Sequence, residues 1–465
     1  MKGTDIITRF RCQFWYFSTP HVETRFIQKI LAELKNEGIT ADKWTKDIDG
    51  KLGLIFIGGY RDYDELISFF QLQLSTKAVR VCVVNTVADL FEGEYKLRIL
   101  RYGVECFLER AYFSESIECL SERINRWNTV ERLLNAPVIR EKIIGNSAPA
   151  ITMLRSIIEV ALYSTNNVLL LGERGVGKEK AASVIHELDT RKDKGDFVVM
   201  DCATLNKELA GSELFGHERG AFTGAEYGRE GAVAQAHKGT FFMDEISEMP
   251  TMLQAEFLRV IQEGSYKKVG SNIWKHAEFR LVAASNRDLT KAAEEGNFRS
   301  DLLDRISVTV IHIPSLDERK EDIPSIIDFC FGLYFKKNIP LIENEVYDYL
   351  KKRNYPGNIR ELRNILSNIF LRYPGKGPVT LGDLPEKDMS FDNKLSAMQW
   401  FEKKELLELL DEAFEEGYDL KQIKEVIQSL SMKITLQKVG KNRDVSRILG
   451  KSERWVQMQK IKKND

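Results

Sequence analysis

Residues 167–179 read Asn167-Val168-Leu169-Leu170-Leu171-Gly172-Glu173-Arg174-Gly175-Val176-Gly177-Lys178-Glu179. The apolar run is that of a buried strand, and the glycines behind it turn the chain into a helical stretch that reaches Leu188. Strand, G-x-x-x-x-G-K, helix is what a phosphate cradle requires. Glycines let backbone N–H groups converge on one anion, the helix start adds its dipole, and Lys178 adds a point charge. Gly172, Glu173, Arg174, Gly175, Val176, Gly177, Lys178 and Glu179 are therefore the expected ATP-binding residues. Position 179 is Glu where a magnesium-touching Ser or Thr is usual, so Mg²⁺ has to lean on another carboxylate.

That carboxylate stands 66 residues beyond Lys178, in Gly239-Thr240-Phe241-Phe242-Met243-Asp244-Glu245, an apolar strand ending in two acids. Asp244 is placed to hold Mg²⁺ through water, and Glu245 to polarise an attacking water. A third apolar strand, residues 279–284, ends in Ser285-Asn286, where Asn286 could sense a γ-phosphate. Farther on, Phe298-Arg299-Ser300-Asp301-Leu302-Leu303-Asp304-Arg305 places two arginines six apart. Pro356-Gly357-Asn358-Ile359-Arg360-Glu361-Leu362 places another at a helix start. Arginine delivered in trans stabilises charge that develops during phosphoryl transfer.

Between the two nucleotide motifs lies Gly211-Ser212-Glu213-Leu214-Phe215-Gly216-His217-Glu218-Arg219-Gly220-Ala221-Phe222-Thr223-Gly224-Ala225. An aromatic and a threonine bracketed by small residues do not suit a helix interior. They fit a mobile loop presenting Phe222 and Thr223 to a partner. This run resembles the SELFGHE…GAFTGA signature of bacterial enhancer-binding proteins, the AAA+ ATPases that activate RNA polymerase carrying sigma-54. The resemblance extends over roughly residues 143–385. It includes Ile144-Gly145-Asn146-Ser147, GERGVGKE (Glu after Lys is normal in this family), GTFFMDEI, FRSDLLDR, DERKEDIP at 317–324 and YPGNIREL at 355–362.

The resemblance implies a homo-oligomer, dimer to hexameric ring. Its loops, built from Gly220, Ala221, Phe222, Thr223, Gly224 and Ala225, would engage sigma-54 and use ATP hydrolysis to remodel the closed promoter complex. It also implies that Arg299 and Arg305 act in trans and that Arg360 senses nucleotide from the adenine-side domain. One position departs from the pattern. The family usually carries Asn before Cys-Ala, restraining the catalytic glutamate until partner contact, whereas this chain reads Val199-Met200-Asp201-Cys202. An Asp beside Glu245 repels it unless protonated, which makes Asp201 a switch candidate. Two other readings are a different AAA+ remodeller, which would need other pore loops, and a DNA-binding regulator that uses nucleotide only as a switch.

The rest of the chain frames this block. Its 465 residues predict two to four domains, and 43% hydrophobic with 29% charged residues is an ordinary globular composition that excludes disorder and collagen. Lys plus Arg, 68, balance Asp plus Glu, 69, so any contact with a polyanion is local rather than chain-wide. Six scattered cysteines without a C-x-x-C pair argue against zinc or a disulfide framework. No run approaches a membrane span, and a cytoplasmic protein with no membrane partner is expected.

The fold class expected is α/β multidomain. Residues 1–122 alternate apolar runs (14–17, 54–57, 81–84, 106–108) with amphipathic stretches (22–34, 63–74) and form a receiver-like regulatory domain of βα units. Residues 123–141 form a helical linker, 142–385 the AAA+ phosphate-loop domain with a helical lid, 386–397 a linker, and 398–465 a helical DNA-binding domain. Within the last, residues 401–430 hold 9 acidic and 4 basic side chains, and residues 431–465 hold 10 basic and 3 acidic, which localises the basic patch. Helix, turn, helix, Gly turn, helix over 436–460 resembles a Fis-type helix-turn-helix. Lys451, Ser452, Arg454, Trp455 and Gln457 are placed to meet double-stranded DNA. The first domain resembles a response-regulator receiver, most visibly at residues 102–110. The acidic pair, the acceptor aspartate and the lysine of a working receiver are replaced by Ser18-Thr19-Pro20, Gly58-Gly59 and Arg110, so aspartyl phosphorylation is not expected. Some degenerate-receiver activators of this family respond to cyclic di-GMP, and Arg140 suits such a cyclic dinucleotide.

Overall fold

The computed structural model describes residues 12–45, 52–71, 79–87, 93–101, 104–110, 116–206, 208–335 and 339–386, with short helical pieces between 412 and 430. The chain divides into two compact units, Met1–Asp383 and Leu384–Asp465. Lys451, Ser452, Arg454, Trp455 and Gln457 lie outside the described residues.

The first unit opens with a parallel sheet ordered β2-β1-β3-β4-β5, from strands β1 (Cys12–Ser18), β2 (Ile39–Lys43), β3 (Leu52–Ile57), β4 (Arg80–Asn85) and β5 (Val104–Glu109). Helices α1 (Thr24–Asn36), α2 (Tyr63–Phe69), α3 (Gly93–Arg101) and α4 (Ser116–Leu133) accompany it. β3 and β4 are buried at every position, which is why their sequences read as unbroken apolar runs. β2 gave no such signal. It is an edge strand in which only Ile39 is buried, so its exposed side chains look like loop.

Residues 123–141 are largely helical and pack on both sides. Leu120, Ile124 and Trp127 of α4 pack in the first core, while Val130 and Leu134 pack in the next one with Ile139 of the short helix α5 (Pro137–Arg140). Pro137 starts α5 rather than breaking the chain, because its missing N–H is unneeded in a first turn.

The second parallel sheet is ordered β14-β6-β13-β10-β7. After α6 (Ala148–Tyr163) come β6 (Val168–Leu171), α7 (Lys178–Leu188), β7 (Phe197–Asp201), α8 (Ala210–Phe215), β8 (Gly216–His217), β9 (Arg229–Glu230) and α9 (Ala232–Gln235). They are followed by β10 (Thr240–Asp244), α10 (Thr251–Glu263), the hairpin β11 (Ser265–Lys267) and β12 (Trp274–His276), and β13 (Arg280–Ser285). Then come α11 (Leu289–Glu294), α12 (Ser300–Ile306) and β14 (Thr309–His312). A helical lid follows, made of α13 (Ile323–Phe335), α14 (Asn344–Lys352) and α15 (Asn358–Arg372). Since β13 is central and its neighbours β6 and β10 run parallel to it, the three strand ends that carry chemistry converge on one edge of the sheet.

One buried cation joins the two layers. Arg80, on β4, donates from Nε to Glu105 on β5 at 3.0 Å and from Nη2 to Glu159 on α6 at 2.6 Å, and it lies over the Trp127 ring at 5.6 Å. Burial pushes the Glu105 carboxyl up, and Arg80 partly offsets that rise. Arg80→Met is expected to destabilise the protein by about 2 kcal/mol, since it leaves two partly buried carboxylates uncompensated. A urea titration checks this, and an unmoved midpoint would show that Arg80 does not hold the layers together.

Candidate nucleotide site and its loop

β6 delivers the chain into residues 172–178 with Gly175 at φ +79° and Gly177 at φ +104°, backbone conformations that a side chain disfavours. A Cβ on Gly175 would stand 2.3 Å from the carbonyl oxygen of Gly357 at the lid, so the loop needs glycine there for contact as well as curvature. Lys178 begins α7, is buried, and donates to the carbonyls of Gly172 (2.9 Å) and Glu173 (3.3 Å) and to Glu245 Oε1 (3.3 Å).

β10 ends at Asp244, and Glu245 turns out of it in a left-handed conformation at φ +49°. Such strain in a non-glycine residue collects at functional sites. It aims the Glu245 carboxylate between Lys178 and the N–H of Asn286, which it accepts at 3.3 Å from the end of β13. Burial pushes the Asp244 carboxyl up, Lys178 pulls it down, and Glu245 and Asp201 push it up again. The carboxylates and the lysine thus share one cleft with the glycine loop, an arrangement that suits a polyphosphate carrying a hydrated divalent cation. Glu179 is exposed on α7.

Asp201 pairs with Asp244 across β7 and β10. Its Oδ1 accepts the N–H of Ala203 at 2.9 Å, capping the turn after β7. The carboxylate has therefore found a local donor instead of donating to Glu245 as an asparagine could.

Arg299 caps the start of α12, exposed, with its guanidinium forked onto Asp301 at 3.0 and 2.7 Å. Arg305 is exposed on the same helix. Both are exposed to solvent. Arg360 is exposed in the first turn of α15, and its backbone N–H reaches Gly175 O at 3.3 Å, so this turn rests on the phosphate loop.

Residues 218–228 contain no helix. Gly220 (φ +81°) and Gly224 (φ +101°) let the chain double back, with Gly220 N–H donating to Ala225 O at 2.8 Å and Ala225 N–H to Phe222 O at 3.0 Å. Thr223 stands exposed at the tip. Phe222 is half-buried instead of presented: its ring meets His217 edge-on at 5.0 Å. Nε2 of His217 donates to Tyr227 O at 3.0 Å, leaving Nδ1 to accept from Ser212 at 2.7 Å. The loop base is clamped to the β11–β12 hairpin by Lys268, which is buried and bridges Glu230 at 2.8 Å and Glu218 at 3.7 Å. Sequence reasoning did not single out Lys268, whose partners are distant in the chain.

At the receiver-like end, Asp62 was likewise missed, because it follows Gly58-Gly59 by a turn. Its buried carboxylate accepts from Gly58 N–H, the Thr19 hydroxyl and His21 Nδ1. Burial pushes it up, yet these donors outweigh that and hold it below the ordinary Asp value. Arg110 donates to Thr86 O at 2.9 Å and covers the Phe26 ring at 5.0 Å. Arg140 gives one donor to Gly145 O at 2.6 Å and one to Asn135 Oδ1 at 3.4 Å.

Among the described residues no helix is long and apolar enough to cross a membrane. Residues 143–312 match the sigma-54 interaction domain, and residues 317–399 match the AAA+ ATPase lid domain. The chain is 39% identical over 280 residues, 59% of its length, to the formate hydrogenlyase transcriptional activator FhlA of Escherichia coli, covering 40% of that protein. It is 42% identical to the regulatory protein LuxO of Vibrio parahaemolyticus over 52% of this chain and 53% of that one. With the transcriptional regulatory protein ZraR of Salmonella typhimurium it shares 39% identity over 53% of this chain and 56% of that one. The chain thus spans about half the length of the curated relatives it matches. Among solved structures, NtrX from Brucella abortus is similar in fold, at 21% identity and a TM-score of 0.50 over 96% of this chain and 98% of that one.

Proposed function

We propose that this chain, whose residues 143–399 are a sigma-54 interaction domain with its AAA+ lid and hence an ATPase module, is an ATP-dependent transcriptional activator. In this reading it binds DNA upstream of a promoter, assembles as a ring and drives sigma-54 RNA polymerase from closed to open complex. The observation that carries the reading is the coexistence of a cleft that joins the glycine loop, Lys178, Asp244 and Glu245 with a clamped loop that holds Thr223 out to solvent.

The residues divide the work as follows. The N–H groups of residues 172–178 and the Lys178 ammonium receive the ATP phosphates, and Lys178 exchanges Glu245 for phosphate as they arrive. Glu245, so released, orients the attacking water and takes up its proton, while Asn286 holds the carboxylate in register. Asp244 would hold Mg²⁺ through water, the ion supplying charge neutralisation on the phosphates when bound. Arg299 and Arg305 reach a neighbouring subunit's nucleotide, and Arg360 reads the same site from the lid. Regulatory input through the first sheet does not use aspartyl phosphorylation, because Ser18-Thr19-Pro20, Gly58-Gly59 and Arg110 stand where a working receiver has its acidic pair, acceptor aspartate and lysine. DNA contact falls to Lys451, Ser452, Arg454, Trp455 and Gln457.

Open-complex formation on a sigma-54 promoter with an upstream site tests the proposal. Melting that requires hydrolysable ATP and no phosphodonor supports it. ATP turnover without melting, with or without added cyclic di-GMP, would point to the different-remodeller reading.

Asp201→Asn restores the donor the family usually has and keeps the cap on Ala203. The expected result is an unchanged thermal midpoint and basal ATP turnover lowered roughly three- to tenfold, with the lost rate recovered on adding sigma-54. Unchanged basal turnover would remove Asp201 from the coupling.

A further inference from the structure

Asn358 is fully buried and adopts φ +53°, a left-handed conformation at the first position of α15. Its amide oxygen and both amide hydrogens are engaged. Oδ1 accepts the N–H of Leu316 at 2.7 Å, ahead of the lid, and Nδ2 donates to Glu173 Oε2 at 2.8 Å and to the carbonyl of Arg174 at 3.1 Å, both in the phosphate loop. The backbone N–H of Asn358 closes onto Tyr355 O at 2.9 Å. One amide thus ties together the phosphate loop, the chain entering the lid and the helix that carries Arg360. Only Asn and Gln offer an acceptor and two donors on one planar group, and the left-handed backbone favours Asn of the two. Around this amide the approach is as close as backbone allows, with Gly175 against Gly357 and the Arg360 N–H on Gly175 O at 3.3 Å.

We propose that Asn358 is a positioning residue that latches the lid onto the phosphate loop before nucleotide arrives, so that ATP meets a cleft already closed on its Arg360 side. The proposal rests on the ATPase assignment and deepens it. The physical content is a population argument: a ligand's apparent affinity falls by the fraction of molecules whose site is competent. With the latch intact that fraction is near one. Without it the lid samples undocked positions, and ATP binding must redock it. The chemical step in the saturated enzyme is untouched, since Asn358 contacts protein groups in three segments and none of the residues that act on water.

The test is steady-state ATP turnover and fluorescent-ATP titration of the full chain with Asn358→Asp, Asn358→Gly, and Asn358→Asp combined with Glu173→Gln. Asn358→Asp removes both donors and sets a carboxylate against Glu173. KM and the dissociation constant are expected to rise about tenfold, with kcat within about twofold of the native value. Asn358→Gly tolerates the left-handed backbone and lacks the whole latch, and it should show the same split even if the Asp variant folds poorly. In the combined variant the amide introduced at position 173 can donate to the carboxylate introduced at position 358. Most of the affinity lost in Asn358→Asp should therefore return. Unmoved KM in both single variants at position 358, or equal losses in kcat with no return in the combined variant, would overturn the latch. Absence of ATP turnover in the native chain would instead overturn the ATPase assignment and the latch with it.

Discussion

Replacing Thr223 by alanine is expected to abolish open-complex formation while ATP turnover stays within about twofold of the native rate. The reason is in the way the loop is built. Thr223 is at the exposed tip, outside the backbone pairs that join Gly220 to Ala225 and Ala225 to Phe222, and outside the Lys268 clamp at the base. Removing its hydroxyl and methyl therefore opens no cavity and breaks no internal bond, which keeps the stability cost within the range of ordinary surface substitutions, about 0.5 kcal/mol. Lys178, Glu245 and Asn286 do not depend on it. What it does lose is whatever the tip grips, and under the proposed function that is sigma-54. Permanganate footprinting of the promoter beside a phosphate-release assay separates the two activities. Retained melting would refute the loop assignment, and parallel loss of both would mean that the tip acts on the ring rather than on the polymerase. Phe222→Ala is a less clean probe, because Phe222 also packs on His217 and its removal disturbs the loop itself.

These residues differ sharply in how far sequence alone reveals them. The glycine loop, Asp244-Glu245 and the 220–225 turn are contiguous, since each function is carried by neighbouring backbone groups at a strand end, and contiguous chemistry leaves a local pattern. Side-chain networks leave none. Lys178 finds Glu245 across 67 residues, Arg80 finds Glu159 across 79, and Asn358 finds Glu173 across 185. Arg80, Glu159 and Asn358 each read by themselves as ordinary polar positions, and for Lys178 and Glu245 the motifs are legible while their pairing is not. The parallel sheets were legible through their unbroken apolar strands, while β2 was not, because an edge strand with one buried residue carries no periodicity. The packing of the helical segment 123–141 was hidden for a related reason. Its charged face is visible in sequence, but the two cores that share its apolar face lie on separate sheets. Asp201 departed from the family wording in a legible way, yet only the fold shows that its carboxylate turns to Ala203 and leaves Glu245 to Lys178.

That Lys178–Glu245 pair sets the expected behaviour of Glu245→Gln, the substitution with the largest effect on chemistry. Glutamine matches glutamate in shape, can adopt the same φ +49° backbone, and can still accept the Asn286 N–H through its amide oxygen. Lys178 keeps the carbonyls of Gly172 and Glu173. The cleft should therefore remain folded, with a thermal midpoint close to native. What disappears is the negative charge and the basic oxygen. Without that basic oxygen the attacking water loses the proton acceptor that Glu245 supplies, and turnover should fall about 10²- to 10⁴-fold, the usual contribution of a positioned general base. Without the charge, Lys178 no longer has to leave a carboxylate to meet phosphate, so ATP should bind as tightly as in the native protein or more tightly. Fluorescent-ATP titration and single-turnover hydrolysis, run on the same preparation, read these two effects separately. Near-native hydrolysis would remove Glu245 from the mechanism. Weakened binding with a proportionate loss of rate would instead make it a structural partner of Lys178. Tight binding with arrested hydrolysis would hold the protein in its ATP state, which under the proposed function is also the form in which a stable complex with sigma-54 should be easiest to isolate.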